Sequence, residues 1–228
     1  MHQQLKRHRA ALLAPLLLVL AGCGPISIRP EQALPKALLT PMSSQTGVVM
    51  TGELRNYRHE ESRSGTDWKI ELGPGHVKLV EQMFAASFKS ARIFKSLDDA
   101  RAEKDLNVLF LPRIEQYSFA TARDTTGGYY AVTIRYRIDV YTPAGEEADS
   151  LTLTGYGSSL DKGGAGKSLE RATVAAMRDA AAKFLVQLPR QPRIAALRNG
   201  EPLTPGLPAT EVDEIDTVPI EDSTVAAL

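Results

Sequence analysis

The chain has 228 residues, 27 of them basic and 27 acidic, so its formal net charge is zero. That balance excludes binding to nucleic acid by bulk electrostatic attraction, which needs a basic surface. One cysteine leaves no partner for an internal disulfide, so any fold must rest on its buried core.

The first element is a leader. Lys6, Arg7 and Arg9 precede an apolar run from Ala10 to Leu20, interrupted by Pro15, and small residues follow. A basic head, a short apolar segment and small residues make a secretory signal. The run falls short of the roughly 20 residues that a spanning helix requires. It ends in Leu20-Ala21-Gly22-Cys23, which closely resembles the lipobox of bacterial lipoproteins. The resemblance implies that Cys23 is acylated on sulfur, that residues 1–22 are removed, and that the new amino group is acylated. Two or more chains anchor a protein stably where one does not. Gly24, where an inner-membrane lipoprotein tends to have Asp, implies the outer membrane, with the domain facing the periplasm.

Residues 23–44 carry four prolines and no sustained period, which predicts a lipidated N-terminus and tether. The domain proper is expected over residues 45–190. Residues 47–57 alternate as a half-buried strand, and Trp68, Ile70 and Leu72 share one face of a second. After Gly73-Pro74-Gly75, the positions Val77, Val80, Phe84, Phe88 and Ala91 form the apolar stripe of a helix. Residues 106–112 form a continuous apolar run, a strand covered on both faces, and the strand signal continues past Pro112 to about Phe119. Tyr130, Val132, Ile134, Tyr136, Ile138 and Val140 then alternate with polar residues. A turn at Pro143-Ala144-Gly145 leads to Leu151 and Leu153. A last helix is predicted from Ser168, as its N-cap, to Leu188, ahead of Pro189.

This order predicts an α+β fold: an antiparallel or mixed sheet of four to five strands, with two amphipathic helices on one face. The order and spacing over residues 45–190 are similar to those of the lipopolysaccharide-assembly lipoprotein and the amino-terminal domain of TolB. Residues 191–228 are predicted to be a disordered tail. From Asn199 onward there are seven acids, four prolines, no basic residue and no aromatic one, a composition unable to offset ordering entropy by burial.

Candidate chemistry is sparse. Asp161 to Ser168 (DKGGAGKS) approaches a phosphate-binding loop, but that loop begins with Gly where Asp161 stands, and a carboxylate there repels phosphate. Gly157-Ser158-Ser159 lacks the second glycine of a nucleophile elbow. His59-Glu60-Glu61 lacks the second histidine of a zinc peptidase. No catalytic residue, metal or cofactor is therefore assigned. On one strand face Tyr129, Arg135, Arg137 and Tyr141 mix cations with aromatics and form a candidate face for an anionic ligand, with Asp139 placed to neutralise an arginine. The expected role is a membrane-anchored, non-catalytic accessory or scaffold in envelope assembly or maintenance, with an envelope protein as partner and no nucleotide. The alternatives are a binding protein for an anionic glycolipid or peptidoglycan, and, more remotely, a hydrolase.

Overall fold

A computed structural model describes residues 24–31 and 39–205. Its strands are β1 (Ile26–Ile28), β2 (Met42–Val49), β3 (Arg58–Arg63), β4 (Thr66–Glu71), β5 (Phe88–Phe94), β6 (Val108–Ala120), β7 (Tyr129–Tyr141) and β8 (Glu147–Leu160). Its α-helices are α1 (Gly52–Arg55), α2 (Gly73–Ser87), α3 (Leu97–Arg101) and α4 (Ala165–Gln187). The strands form a mixed five-stranded sheet, β5-β2-β6-β7-β8, and a smaller sheet, β1-β4-β3. The fold is α+β.

The alternation in β7 works as its period requires. Tyr130, Val132, Ile134, Tyr136, Ile138 and Val140 are all buried on one face of the large sheet, and α2 and α4 cover that face. Phe84 of α2 and Phe184 of α4 meet with ring centroids 5.0 Å apart, and both are fully buried. Pro112 lies inside β6, just beyond Phe110, where pairing with β2 ends. A proline lacking its N–H is tolerated along such an unpaired margin.

Helix α4 presses on β8 where that strand has no side chain. A Cβ built on Gly157 would lie 2.1 Å from the Ala172 carbonyl oxygen, and one on Gly155 would lie 2.1 Å from that of Ala176. The same helix closes part of the free β8 edge. Asp179 accepts the Tyr156 backbone N–H at 2.9 Å, and Lys183 donates to the Thr154 carbonyl at 2.6 Å. Backbone groups that would template a further strand are thus occupied.

Several boundaries differ from those expected. The strand predicted over 47–57 runs instead from Met42 to Val49. Thr51 then caps α1, accepting the Leu54 N–H at 3.3 Å, so Leu54 reaches the core from a helical turn. Helix α2 stops at Ser87, whose hydroxyl bonds back to the Met83 carbonyl at 2.9 Å, and Phe88 opens β5. Phe88 is buried at this junction, where a helical step of four from Phe84 and a strand period both point inward. Strand β3 (RHEESR) carries no apolar pattern. Its pairing follows from the turn at Ser64 and Gly65, both at positive φ (53° and 74°), which joins it to β4 as a hairpin.

The expected tether and tail both contribute to the domain. Strand β1 pairs parallel to β4, with Ile26 opposite Trp68 and Ile28 opposite Ile70. At the other end a 3₁₀ segment, Pro192–Asn199, buries Ile194 and Leu197, and Leu203 is buried after it. The Ser44 hydroxyl donates to the Leu197 carbonyl at 2.5 Å. Asn107 holds the segment twice, donating from its side chain to the Gly200 carbonyl at 3.1 Å and accepting the Leu203 N–H at 2.8 Å. The domain therefore extends beyond 45–190, because a few apolar side chains dock among prolines without any period to announce them. Residues 1–23, Cys23 among them, and 206–228 lie outside the described residues.

Candidate functional site

The outer face of the large sheet carries the candidate cation row. Tyr129, Arg135, Arg137 and Tyr141 lie on one face of β7, but the first and last are twelve residues apart, about 40 Å along a strand. Tyr141 packs with Phe94, Leu97 and Leu111 around a second small core of Val49, Ala100, Leu106 and Leu109. Tyr129 stands at the opposite end. The four side chains do not converge.

The arginines are already engaged. Arg135 Nε donates to Glu115 at 2.8 Å, and Arg137 Nε donates to Asp139 at 2.6 Å, with Glu147 3.6 Å away. Arg113, opposite Arg137 on β6, contacts the other Asp139 oxygen at 2.5 Å. The Asp139 side chain is 2% exposed, a buried carboxylate between two partly exposed guanidinium groups. Its hydrogen bond and charge raise the Arg137 pKa above the usual arginine value. Each arginine of this row is thus already paired with a carboxylate, and the cross-strand partner Arg113 was not apparent from the sequence.

The titratable groups of the interior are hydrogen-bonded to one another, to the backbone or to a hydroxyl. His76, fully buried at the start of α2, donates from Nδ1 to the Leu72 carbonyl at 2.7 Å. Its Nε2 accepts the Tyr136 hydroxyl at 2.6 Å. Burial pushes the His76 pKa down to about 4 and drives that of Tyr136 well above its ordinary value, so both are neutral at pH 7. Nearby, the buried Tyr117 hydroxyl lies 2.8 Å from Thr173 Oγ1, whose proton goes to the Leu169 carbonyl. His59 bonds Glu61 at 3.1 Å and packs on Tyr117 with centroids 5.0 Å apart. Neither histidine pairs with a serine.

The glycine-rich segment is a helix entry. Gly163 and Gly164 take positive φ, 85° and 96°, and α4 starts at Ala165 with Gly164 as its N-cap. Ser168, expected at the cap, is instead fully buried inside the first turn. Its hydroxyl accepts the Lys162 N–H at 3.2 Å and lies 3.4 Å from Asp161, tying down the preceding loop. Ser158 and Ser159 sit on β8, where Arg171 donates to Ser159 Oγ at 3.0 Å.

One open cleft of about 440 Å³ runs between the start of β2 and the C-terminal segment, lined by Leu39, Pro41, Met42, Lys89, Pro189 and Arg198. Its walls are mostly apolar, with Thr40, Ser43, Ser87 and the two cations among them. Among the described residues there is no cluster of three metal-ligating side chains, and no helix long and apolar enough to cross a membrane.

No family model and no curated protein matches the chain. Solved structures give distant likenesses. A Xanthomonas campestris protein of family DUF330 is 10% identical, covers 70% of this chain and 92% of its own, and superposes with a TM-score of 0.49. A Caulobacter crescentus chain assigned as a lipoprotein is 14% identical over 40% of this chain and 73% of its own, with a TM-score of 0.29. The PelC dodecamer of Paraburkholderia phytofirmans is 12% identical over 65% of this chain and 94% of its own, with a TM-score of 0.31.

Proposed function

We propose that this chain is a lipoprotein of the outer membrane, anchored through Cys23, whose periplasmic domain acts by binding a partner rather than by catalysis. The observation that carries the reading is Leu20-Ala21-Gly22-Cys23, closing a basic-then-apolar leader and holding the sole cysteine of the sequence. The interior supports the non-catalytic half. His76 is neutral and bonded on both ring nitrogens, His59 is bonded to Glu61, and the serines of the glycine-rich region serve loop and strand packing. The partner surface is a helix face or sheet margin, because the arginine row is self-neutralised.

The test is mass spectrometry of the amino-terminal peptide from a membrane fraction. A diacylglyceryl-modified Cys23 with residues 1–22 absent is expected, and Cys23→Ala should leave the chain unprocessed or soluble. An unmodified Cys23 in the mature protein defeats the reading. Crosslinking in intact cells followed by peptide identification should then yield an envelope protein. Copurifying glycolipid without a protein partner would favour the glycolipid-binding alternative.

A further inference from the structure

The small cavity that contains Ile26 also contains Ser64, Thr121, Arg123 and Ala165. The start of β1, the β3–β4 turn, the β6–β7 loop and the entry to α4 therefore meet at one end of the domain. Cys23 precedes Ile26 by three residues, which span at most about 11 Å fully extended. An acyl group on Cys23 thus holds this end within reach of the headgroup layer.

The sheet is built differently at that end. On its outer face the half beyond Arg135 presents Ser118, Ala120, Ala131, Thr133 and Ser158, with no charged side chain in the row. Three exposed large apolar residues lie here: Leu160 (55% exposed), Tyr129 (38%), which is its register partner on β7, and Tyr156 (60%). The ion pairs of Glu115, Arg135, Arg137, Asp139 and Glu147 fill the opposite half. Tyrosine suits a boundary that is apolar on one side and wet on the other. Cations flank this apolar patch: Arg123 donates to the Ser64 carbonyl while Asp124 is paired with Arg63, Arg171 donates to the Leu160 carbonyl, and Lys183 lies over the Tyr156 ring.

We propose that the end of the sheet carrying Tyr129 and Leu160 rests on the headgroup layer of the anchoring bilayer, holding the domain in one orientation with its charged half directed away. This rests on the lipoprotein reading, and it commits to the bilayer because the anchor is too short to let this end leave it.

The experiment uses the full-length acylated chain with Leu160→Cys, labelled at its one free thiol with an environment-sensitive fluorophore. It is reconstituted into phosphatidylethanolamine–phosphatidylglycerol vesicles containing a headgroup-nitroxide lipid. Ser150→Cys, ten residues back on the same strand and about 33 Å away, serves as reference. Quenching at position 160 should exceed that at 150 several-fold and persist when salt is raised. Equal quenching at both positions overturns the proposal, as does a crosslink between two copies at position 160 without quenching, which would make the patch a self-association face. Vesicle flotation and the mass of the amino-terminal peptide read the anchor separately. A chain that floats and is acylated but is unquenched at 160 defeats only the orientation, whereas one lacking acylation defeats the lipoprotein reading itself.

Discussion

The hydroxyl of Tyr136 on β7 donates to Nε2 of His76 on α2 at 2.6 Å, and the imidazole is wholly enclosed. This bond joins the first turn of a core helix to the middle of the sheet. It also makes the fold sensitive to pH. The folded His76 pKa, about 4, lies below the ordinary 6.5, so the unfolded chain takes up a proton first as pH falls. The contribution of His76 is therefore neutral above pH 6.5 and increasingly destabilising below it, reaching about 3 kcal/mol near pH 4. Chemical denaturation at successive pH values should show this decline, and His76→Gln should flatten it while lowering stability at pH 7. Tyr136→Phe, which leaves the buried acceptor unpaired, should cost about 1–3 kcal/mol.

The outer-face ion pairs give a second prediction. Asp139 is buried between Arg113 and Arg137, while Glu115 and Arg135 meet in the open. Asp139→Ala should cost about 2 kcal/mol, since two cations lose their shared partner yet can regain water. Arg135→Ala should change stability by less than about 0.5 kcal/mol. Arg137→Glu would set a third carboxylate beside Asp139 and Glu147 and should destabilise the fold as well as alter the surface. Urea unfolding of the three variants checks the order.

Close packing of α4 on β8 makes Gly157 intolerant. Gly157→Ala forces a Cβ to 2.1 Å from the Ala172 carbonyl oxygen and 2.4 Å from the Ala176 nitrogen, both backbone atoms. A loss of about 3 kcal/mol or more, or failure to fold, is expected. Gly52→Ala, with nothing within 4 Å of the added carbon, should be tolerated. Thermal melts of the pair would separate crowding from a general glycine effect.

The C-terminal segment should prove part of the domain. Leu197→Ala removes a fully buried side chain beside Ser44 and should cost about 2–4 kcal/mol. Truncation after Gln191 should lower the melting temperature sharply, whereas truncation after Pro205 should leave it nearly unchanged, as the acidic, proline-bearing composition beyond it suggests. A large drop from the second truncation would refute the composition argument.

What the sequence by itself determined is whatever depends on local period and on contiguous motifs. The period of two from Tyr130 to Val140 and the stripe from Leu169 to Phe184 dictated which faces are buried, because burial must repeat with backbone geometry. The expectation of a leader ending at Cys23 rests on the sequence alone, because such a motif is contiguous along the chain. Only tertiary structure decided the rest. Strand β3 shows no apolar period, since as an edge it borrows its packing from Tyr117 and Phe119. Ile28, Ile194 and Leu203 are apolar residues in proline-bearing segments without a period, and only the surfaces they meet make them core. The arginines of β7 read as an open cationic face until Arg113, Glu115 and Asp139 are brought beside them across the pleats. Partners distant along the chain leave no mark in local spacing, and their contacts exist only once the sheet has closed.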